Sequence, residues 1–207
     1  MWLELARSTK NRKQKFLEEM EESLPWGTLL AMCKRYYRES EMGRPKTDIE
    51  ILLKIYFLQQ WYNLGDPTVE AEIHDSIAFR SFLKIDLVEN VPDESTICRF
   101  RHFLEKNRLQ EKFFRKTVEI LESKGLILKR GTIVDATIIH ASGSTKNKER
   151  KRDEEMSSTR KNNTYHFGMK EHIGVDMDSG LIHTIEATTA KDHDITKLDD
   201  CLHGYEE

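Results

Sequence analysis

The spacing of apolar residues changes once along this chain, at Gly125. Before it, apolar positions recur three or four apart, as in Ile51, Ile55 and Leu58, which indicates helices packed through one face. The Gly-Asp-Pro sequence at 65–67 is expected to end one helix, and the sequence at 91–96 is typical of the start of another. Helices are predicted over residues 12–22, 28–37, 48–64, 68–76, 77–83, 97–106 and 109–124.

After Gly125 the pattern is that of strands. Residues 131–139 are apolar on both sides of the pleat, which predicts a strand buried on both faces. Asp135 interrupts this run, and a buried carboxylate is costly unless its charge is compensated. A metal ion would compensate it, whereas the alternative is a strand-end aspartate that accepts hydrogen bonds from backbone N–H groups. The metal hypothesis requires an inward-pointing side chain, so a side chain in open solvent would contradict it.

A β-hairpin is predicted next. Apolar and polar residues alternate over 165–175, and Glu171 alone breaks the apolar side, which we expect to be the buried one. Lys170 and His172 belong to the polar side, expected to be exposed, with Lys170 a candidate DNA contact. A turn at 176–180 leads into the second strand, 181–188.

Two further segments complete the prediction for this half of the chain. The polar stretch 141–164 is expected to be a loop. A short helix is expected over 195–202, with Asp194 as its N-cap.

The helical half has features of a DNA-binding module. The capped start at 91–96 precedes a helix whose outer side carries Arg99, Arg101 and His102, as a recognition helix requires. The alternative is a solvated charged face in a plain helical bundle. Arg44 and Lys46 lie in a Gly-Arg-Pro-Lys linker, which suits either a minor-groove contact or an ordinary turn before a helix.

Composition and charge narrow the class of protein. The chain has 207 residues, 38% of them hydrophobic, and no apolar run approaches the roughly 20 residues that span a bilayer. The start of the chain lacks a secretory signal, and three widely spaced cysteines fit neither a disulfide framework nor a zinc knuckle, so a cytoplasmic protein is expected.

Net charge is −3, which by itself argues weakly against nucleic acid, but the charge is unevenly distributed. Residues 146–161 carry seven bases and four acids, which suits a loop that orders on a phosphate backbone or, alternatively, a solvated loop without a partner. The candidate DNA contacts in this loop are Lys146, Lys148, Arg150, Lys151 and Arg152.

Several motifs, in one order and spacing, resemble a known family. They are Gly43–Lys46, Tyr56–Leu64, Val91–Thr96 with Arg99–His102, Val134–Ile139, Ser144–Lys148, Phe167–Lys170, His172–Asp176, Ser179–His183 and His193–Asp194. Together they resemble the DDE transposases of bacterial insertion sequences, in the insertion-sequence-five group.

The resemblance implies an α+β fold, with an all-helical DNA-binding module followed by an incomplete RNase H-like α/β core. The expected domains are a helical extension (1–42), a DNA-binding domain (43–125) and part of the catalytic domain (126–207).

The resemblance also implies a chemistry. Two Mg²⁺ or Mn²⁺ ions would activate a water molecule and then a 3′-hydroxyl for DNA cleavage and strand transfer. Asp135 matches the first carboxylate of the family's triad, while the second Asp and the Glu are expected further downstream than the chain extends. Asp194 is a weaker candidate ligand. The chain is therefore expected to be a truncated transposase that is inactive alone and binds no metal stably.

The expected partners follow from the same resemblance. They are double-stranded DNA carrying the element's terminal inverted repeats, and either a second copy or a full-length transposase, in the bacterial cytoplasm at the nucleoid and without a membrane. The main alternative function is a sequence-specific DNA-binding regulator with no enzymatic role. A protein-interaction helical domain with a β appendage is a third, and it predicts no salt-dependent affinity for DNA.

Overall fold

The computed structural model describes residues 10–37, 47–145, 151–161 and 163–203, and the chain divides into two compact units, 1–114 and 115–207. The helices are α1 (Arg12–Ser23), α2 (Trp26–Lys34), α3 (Ile49–Tyr62), α4 (Asp66–Asp75), α5 (Ile77–Leu83), α6 (Glu94–Lys106), α7 (Leu109–Ser123) and α8 (Leu198–Cys201). A 3₁₀ turn, Asp194–Lys197, precedes α8. The strands are β1 (Thr132–His140), β2 (Ser157–Lys161), β3 (Thr164–Asp176) and β4 (Ile182–Thr189).

Local chemistry sets the ends of the main helices, as the sequence predicts. Asp48 caps α3 by accepting a hydrogen bond from the Glu50 amide at 2.8 Å. Asp93 caps α6, and hydrogen bonds from Ser95 and Thr96 lower the pKa of Asp93 to about 2. Gly125 ends α7 with a positive φ of 67°, the left-handed conformation that glycine adopts without strain.

The helical unit has two clusters of buried side chains. Leu17 of α1 packs with Ile55 and Phe79, whereas Leu29 and Cys33 of α2 pack with residues of α3, α6 and α7. The described part of the predicted extension, residues 10–37, therefore shares its core with the helices that follow.

The second unit is built on an antiparallel sheet with β3 at its centre. β1 pairs with β3 along Gly168–Asp176, and β4 pairs with the opposite side of β3 along Met169–Val175. β2 continues the line of β4, since Ser157 pairs with Gly168, which also pairs with His140 of β1. The α+β fold class is thereby confirmed.

One face of this sheet, here called the open face, is only partly covered by the described residues. Ile133 and Ile139 of β1 are 54% and 50% exposed, and Ile185 of β4 is 41% exposed. The prediction that β1 is buried on both faces is therefore wrong. Antiparallel partners project to the same side, so the open face also includes the partners of these residues on β3. Its members are Ile133, Asp135, Thr137, Ile139, Met169, Glu171, Ile173, Val175, Ile182, Ile185, Ala187 and Thr189.

The other face, here called the covered face, packs against α8 although it is the more polar one. His172 and Asp176 are fully buried, and Gly174 lies under the backbone of Cys201. The expectation that His172 is exposed and that the apolar side of β3 is the buried one is therefore wrong. One ring nitrogen of His172, Nε2, bonds to the Thr188 hydroxyl at 2.9 Å, whereas the other, Nδ1, has no hydrogen-bond partner among the described residues.

Asp176 is the best satisfied of these buried groups. Its carboxylate accepts hydrogen bonds from the backbone and side chain of Ser179 and from the amides of Leu128 and Lys129, at 2.8–3.0 Å. These donors, with the Ser179 amide first, hold the pKa of Asp176 far below its usual range. Asp176 thus ties the hairpin turn to the segment that enters β1.

Two local predictions in this unit are corrected. The stretch 141–164, expected to be a loop, contains β2, whose polar residues pair with Thr164–Gly168. The helix expected over 195–202 is a 3₁₀ turn followed by the short α8. Among the described residues, no helix has the length and apolar character needed to cross a membrane.

Candidate metal centre and nucleic-acid interface

Asp135 lies at the middle of β1, opposite Ile173, on the open face. Its side chain is exposed, so the expectation of an inward-pointing, buried carboxylate is wrong. One carboxylate oxygen, Oδ1, accepts a hydrogen bond from the Ala136 amide at 2.8 Å. This local contact is the one that the backbone-capping alternative anticipates. The metal hypothesis as derived from burial on this strand is therefore contradicted, and what remains for a metal at Asp135 is the chemistry of its carboxylate as a ligand and membership in the family described below.

A second acid shares the open face with Asp135. Glu171 pairs with Thr137, two residues along β1, so it is the diagonal neighbour of Asp135 across the two strands. Diagonal neighbours in antiparallel sheets lie roughly 7 Å apart, within reach of a shared cation or water. Glu171 is half-buried, and apolar residues flank both acids.

Asp194, the weaker candidate ligand, is engaged elsewhere. Lys170 donates to Asp194 at 2.9 Å and to the backbone carbonyl of Asp192 at 2.6 Å. Lys170 pairs with Ile138 and therefore projects from the covered face, opposite to Asp135. The structure does not bring Asp135 and Asp194 together. Asp194 is the first residue of the 3₁₀ turn, and His193 occupies the N-cap position, so the expectation that Asp194 is the N-cap is also wrong.

The acids of the open face offer oxygen ligands that suit a hard divalent cation, but they form only part of a complete metal site. Mg²⁺ binds carboxylate oxygens and retains several water ligands, which suits an exposed pair of acids. Within the described residues, no group of three or more His, Cys, Asp or Glu side chains is placed to hold a metal ion. Asp135 fits as one ligand, with Glu171 beside it.

The candidate DNA contacts on α6 have different surroundings. Arg99 is exposed, and among the described residues its guanidinium bonds only to Ser95 and Thr96, one turn earlier on the same helix. Arg101 instead pairs with Asp66 of α4 at 3.0 Å and with Glu105 at 2.9 Å. This ion pair also lowers the pKa of Asp66. Arg101 therefore has a structural role that the sequence does not reveal.

His102, the third predicted contact on α6, lies about one helical turn beyond Arg99. It is exposed and sits 4.0 Å from the Cys98 sulfur.

The remaining basic candidates lie before and within the second unit. Arg44, Lys46, Lys146, Lys148 and Arg150 lie outside the described residues. Lys151 and Arg152 are exposed, and the Arg152 guanidinium lies 5.3 Å from the centre of the Phe167 ring. Lys170 is 14% exposed and held in the ion pair described above, so it is less accessible than Lys151 or Arg152.

Comparison with known families agrees with this arrangement of a helical unit followed by an acid-bearing sheet. Residues 5–103 match the family model described as Transposase domain (DUF772), and residues 127–207 match the one described as Transposase DDE domain. The chain belongs to the DDE transposases of insertion sequences. No solved structure matches it at a significant level.

Membership in this family defines a general activity. DDE transposases cleave and transfer DNA, generally use divalent metal ions and act on a DNA substrate. The β1 strand and Asp135 fall near the start of the matched DDE domain.

Three residues that bear on the site were not singled out from the sequence. Glu171 was visible only as a break in an apolar alternation, and its proximity to Asp135 depends on the register of β1 with β3. Arg160 and Tyr165 lie on paired strands, and their juxtaposition depends on β2, which was expected to be loop.

Proposed function

We propose that this chain binds the terminal inverted repeats of an insertion sequence and supplies the first carboxylate of the DNA-cutting centre of a transposase. The observation that carries the proposal is the order of parts on one chain. A helical transposase domain precedes a DDE domain in which Asp135 stands exposed on the central part of β1.

The role of Asp135 follows from its surroundings. Its Oδ1 atom is held by the Ala136 amide, which fixes the orientation of the carboxylate on the open face. Within the described residues no donor lies at Oδ2, so that oxygen is available to a cation or a water molecule. A bound divalent ion would lower the pKa of a water or 3′-hydroxyl nucleophile and neutralise charge on the phosphate.

The domains proposed for this activity are a helical extension (1–42), a DNA-binding domain (43–125) and part of the catalytic domain (126–207), with recognition of the element ends assigned to the second. Arg99 is the best placed of the predicted contacts, because it is exposed on α6 and makes no ion pair among the described residues. We also propose that residues 1–207 do not cleave DNA by themselves, because the family resemblance assigns only Asp135 of the triad to them. A second copy or a longer transposase would then be the partner at the element ends.

DNA binding is tested with duplexes taken from the DNA that adjoins the coding region, in a mobility-shift assay at several salt concentrations. Specific binding should fall steeply with salt and should weaken in Arg99→Gln. Lys34→Gln on α2, an exposed base outside α6, is the matched control. Binding that ignores both sequence and salt would exclude the proposed recognition of element ends.

Metal binding is tested without any requirement for cleavage of DNA. Fe²⁺ with ascorbate and peroxide should cut the polypeptide near β1 and β3, and Asp135→Asn should abolish these cuts while circular dichroism stays unchanged. Asp178→Asn, an exposed acid in the hairpin turn, should leave them intact.

The same experiment separates the transposase from a DNA-binding regulator without enzymatic ancestry. In the regulator, Asp135 would serve only the local hydrogen bond to Ala136, so Asp135→Asn would alter neither polypeptide cutting nor DNA binding.

A further inference from the structure

Part of β2 and β3 extends beyond the rest of the sheet as a two-stranded ribbon. The last pair of β1 is His140 with Gly168, and the last pair of β4 is Thr189 with Met169. Beyond them β3 pairs with β2 alone, from Phe167 to Thr164. This ribbon is here called the arm (residues 157–161 and 164–168). At about 3.3 Å per residue, the four residues of β3 beyond Gly168 project roughly 13 Å.

The root of the arm is held rigidly. At Gly168, where φ is +155°, an added Cβ would lie 2.0 Å from the Ile139 carbonyl oxygen, so only glycine fits between the strands. On the other strand, the Ser157 hydroxyl accepts a hydrogen bond from the Lys191 amide at 2.8 Å. A ribbon fixed at its root presents its outer side chains in a defined geometry.

Those outer side chains combine cations with aromatic rings. Arg160 pairs with Tyr165, and the Arg160 guanidinium lies 5.6 Å from the centre of the Tyr165 ring. Tyr165 is 73% exposed, so its ring serves no hydrophobic core among the described residues. Nearer the root of the arm, the Arg152 guanidinium lies 5.3 Å from the centre of the Phe167 ring.

The charge along the arm is also asymmetric. Residues 157–167 contain two bases, Arg160 and Lys161, and no acid, whereas Asp153, Glu154 and Glu155 lie just before the root. An arm with a basic outer half is electrostatically suited to a polyanion such as a phosphate backbone and is repelled by a basic protein surface.

We propose that the arm grips DNA, with Arg160 on the phosphate backbone and the Tyr165 ring stacked on an unpaired base. This inference rests on the proposed function and deepens it, since it names the part of the DNA that this surface binds. Guanidinium groups bind phosphates in fork geometry, and aromatic rings stack on bases that a closed duplex does not offer. The arm therefore favours DNA with a single-stranded end over a blunt duplex.

A purely structural role for the Arg160–Tyr165 pair makes a different prediction. Cross-strand pairs stabilise hairpins, so the pair would hold β2 on β3 whether or not DNA is present. Tyr165→Phe keeps the ring and Arg160→Lys keeps the charge, whereas Tyr165→Leu and Arg160→Gln remove them.

The test measures fluorescence anisotropy of two labelled DNAs with the whole chain, a blunt duplex and the same duplex with a single-stranded 3′ tail. Tyr165→Leu should weaken binding of the tailed DNA about fivefold or more and leave the blunt duplex nearly unchanged. Tyr165→Phe should bind the tailed DNA like the unaltered chain. Arg160→Gln should reduce the slope of log affinity against log salt by roughly one on the tailed DNA, while Lys124→Gln, an exposed base at the end of α7, should bind this DNA normally.

The outcomes separate this inference from the function on which it rests. Equal affinity of all variants for the tailed DNA, or equal losses on tailed and blunt DNA in Tyr165→Leu, would overturn the role of the arm while leaving DNA binding intact. An unaltered chain that binds neither DNA would overturn the proposed function as well. Hydrogen exchange of the β2 and β3 amides identifies variants in which the two strands of the arm have separated. Where this has happened, the affinities of the conservative Tyr165→Phe and Arg160→Lys variants for the tailed DNA test the role of the arm instead.

Discussion

Gly174→Ala should detach α8 from the sheet. A Cβ at this position would lie 2.3 Å from the Cys201 carbonyl oxygen and 2.9 Å from the ring of His183. The carbonyl belongs to the backbone of α8, so it cannot rotate away as the end of a flexible side chain would. The helix as a whole must retreat from the covered face.

The size of the effect follows from these distances. Carbon and carbonyl oxygen ordinarily approach no closer than about 3.3 Å, so α8 would have to move by about 1 Å. Forcing an extra carbon into a packed site costs about 1–3 kcal/mol. Most of this cost falls on the docking of α8, because Cys201 is fully buried only while the helix is seated.

Cysteine labelling followed by mass spectrometry measures this docking directly. Burial raises the pKa of the Cys201 thiol and shields it, so maleimide reacts only when α8 lifts away. In Gly174→Ala the rate at Cys201 should rise about five- to 150-fold, which is the opening free energy converted at 1.4 kcal/mol per factor of ten. Cys33 is buried in the helical unit, where burial raises its pKa to about 12, and its rate should not change.

Gly131→Ala is the matched control, because its added Cβ would meet only the flexible Met177 side chain, at 3.5 Å. Unchanged labelling of Cys201 in Gly174→Ala would refute the packing of α8 on the polar face. The distinction between covered and open faces, and with it the accessibility assigned to Asp135, would then lose its basis.

Three further predictions concern charged groups. Asp176→Asn should lower stability to urea at neutral pH, whereas Asp178→Asn in the same turn should not. Because the pKa of Asp176 is lowered by folding, its contribution is present above the ordinary aspartate pKa of about 3.9 and declines as pH falls below it, so urea titrations should show the two proteins converging in acid. Lys54 is 1% exposed and pairs with Glu21 at 2.9 Å, so Lys54→Ala removes three buried methylenes and this ion pair and should cost about 2 kcal/mol or more in urea unfolding, whereas Lys54→Met keeps the packing, loses the ion pair and should cost less. Arg101→Gln should destabilise the helical unit by about 1 kcal/mol or less in thermal unfolding, while Arg99→Gln should spare stability and weaken DNA binding; the reverse pattern would contradict their assigned roles.

Helix boundaries were predictable because their causes are local. Asp93 bonds to an amide three residues away, and Gly125 adopts its positive φ within the turn that it ends. Both signals are complete within a few residues of sequence. The expected cap at Asp194 failed by one residue, because the turn begins at Asp194 itself, and the same carboxylate accepts a hydrogen bond from Lys170, 24 residues away in sequence.

The faces of the sheet were not predictable in the same way. Alternation along β3 identifies which side is apolar, but it does not identify which side another element covers. Here α8 packs on the polar side, where His172 bonds to Thr188 and four hydrogen bonds engage the Asp176 carboxylate. β2 escaped prediction because its residues are polar and its stability comes from pairing with β3.

Asp135 and Asp176 lie on adjacent strands of one sheet, and the contrast between them indicates what each charge is for. At Asp176 four hydrogen bonds engage both carboxylate oxygens, so the charge is committed to holding the fold. At Asp135 one oxygen accepts one hydrogen bond, from the next residue along the strand, in a position open to solvent.

A serine or asparagine could make the contact to Ala136 equally well, so the fold does not require a negative charge at position 135. The charge of Asp135 therefore remains available to a cation. Exposure of the side chain removes the argument for a metal from burial, but it also makes the carboxylate accessible to a metal ion.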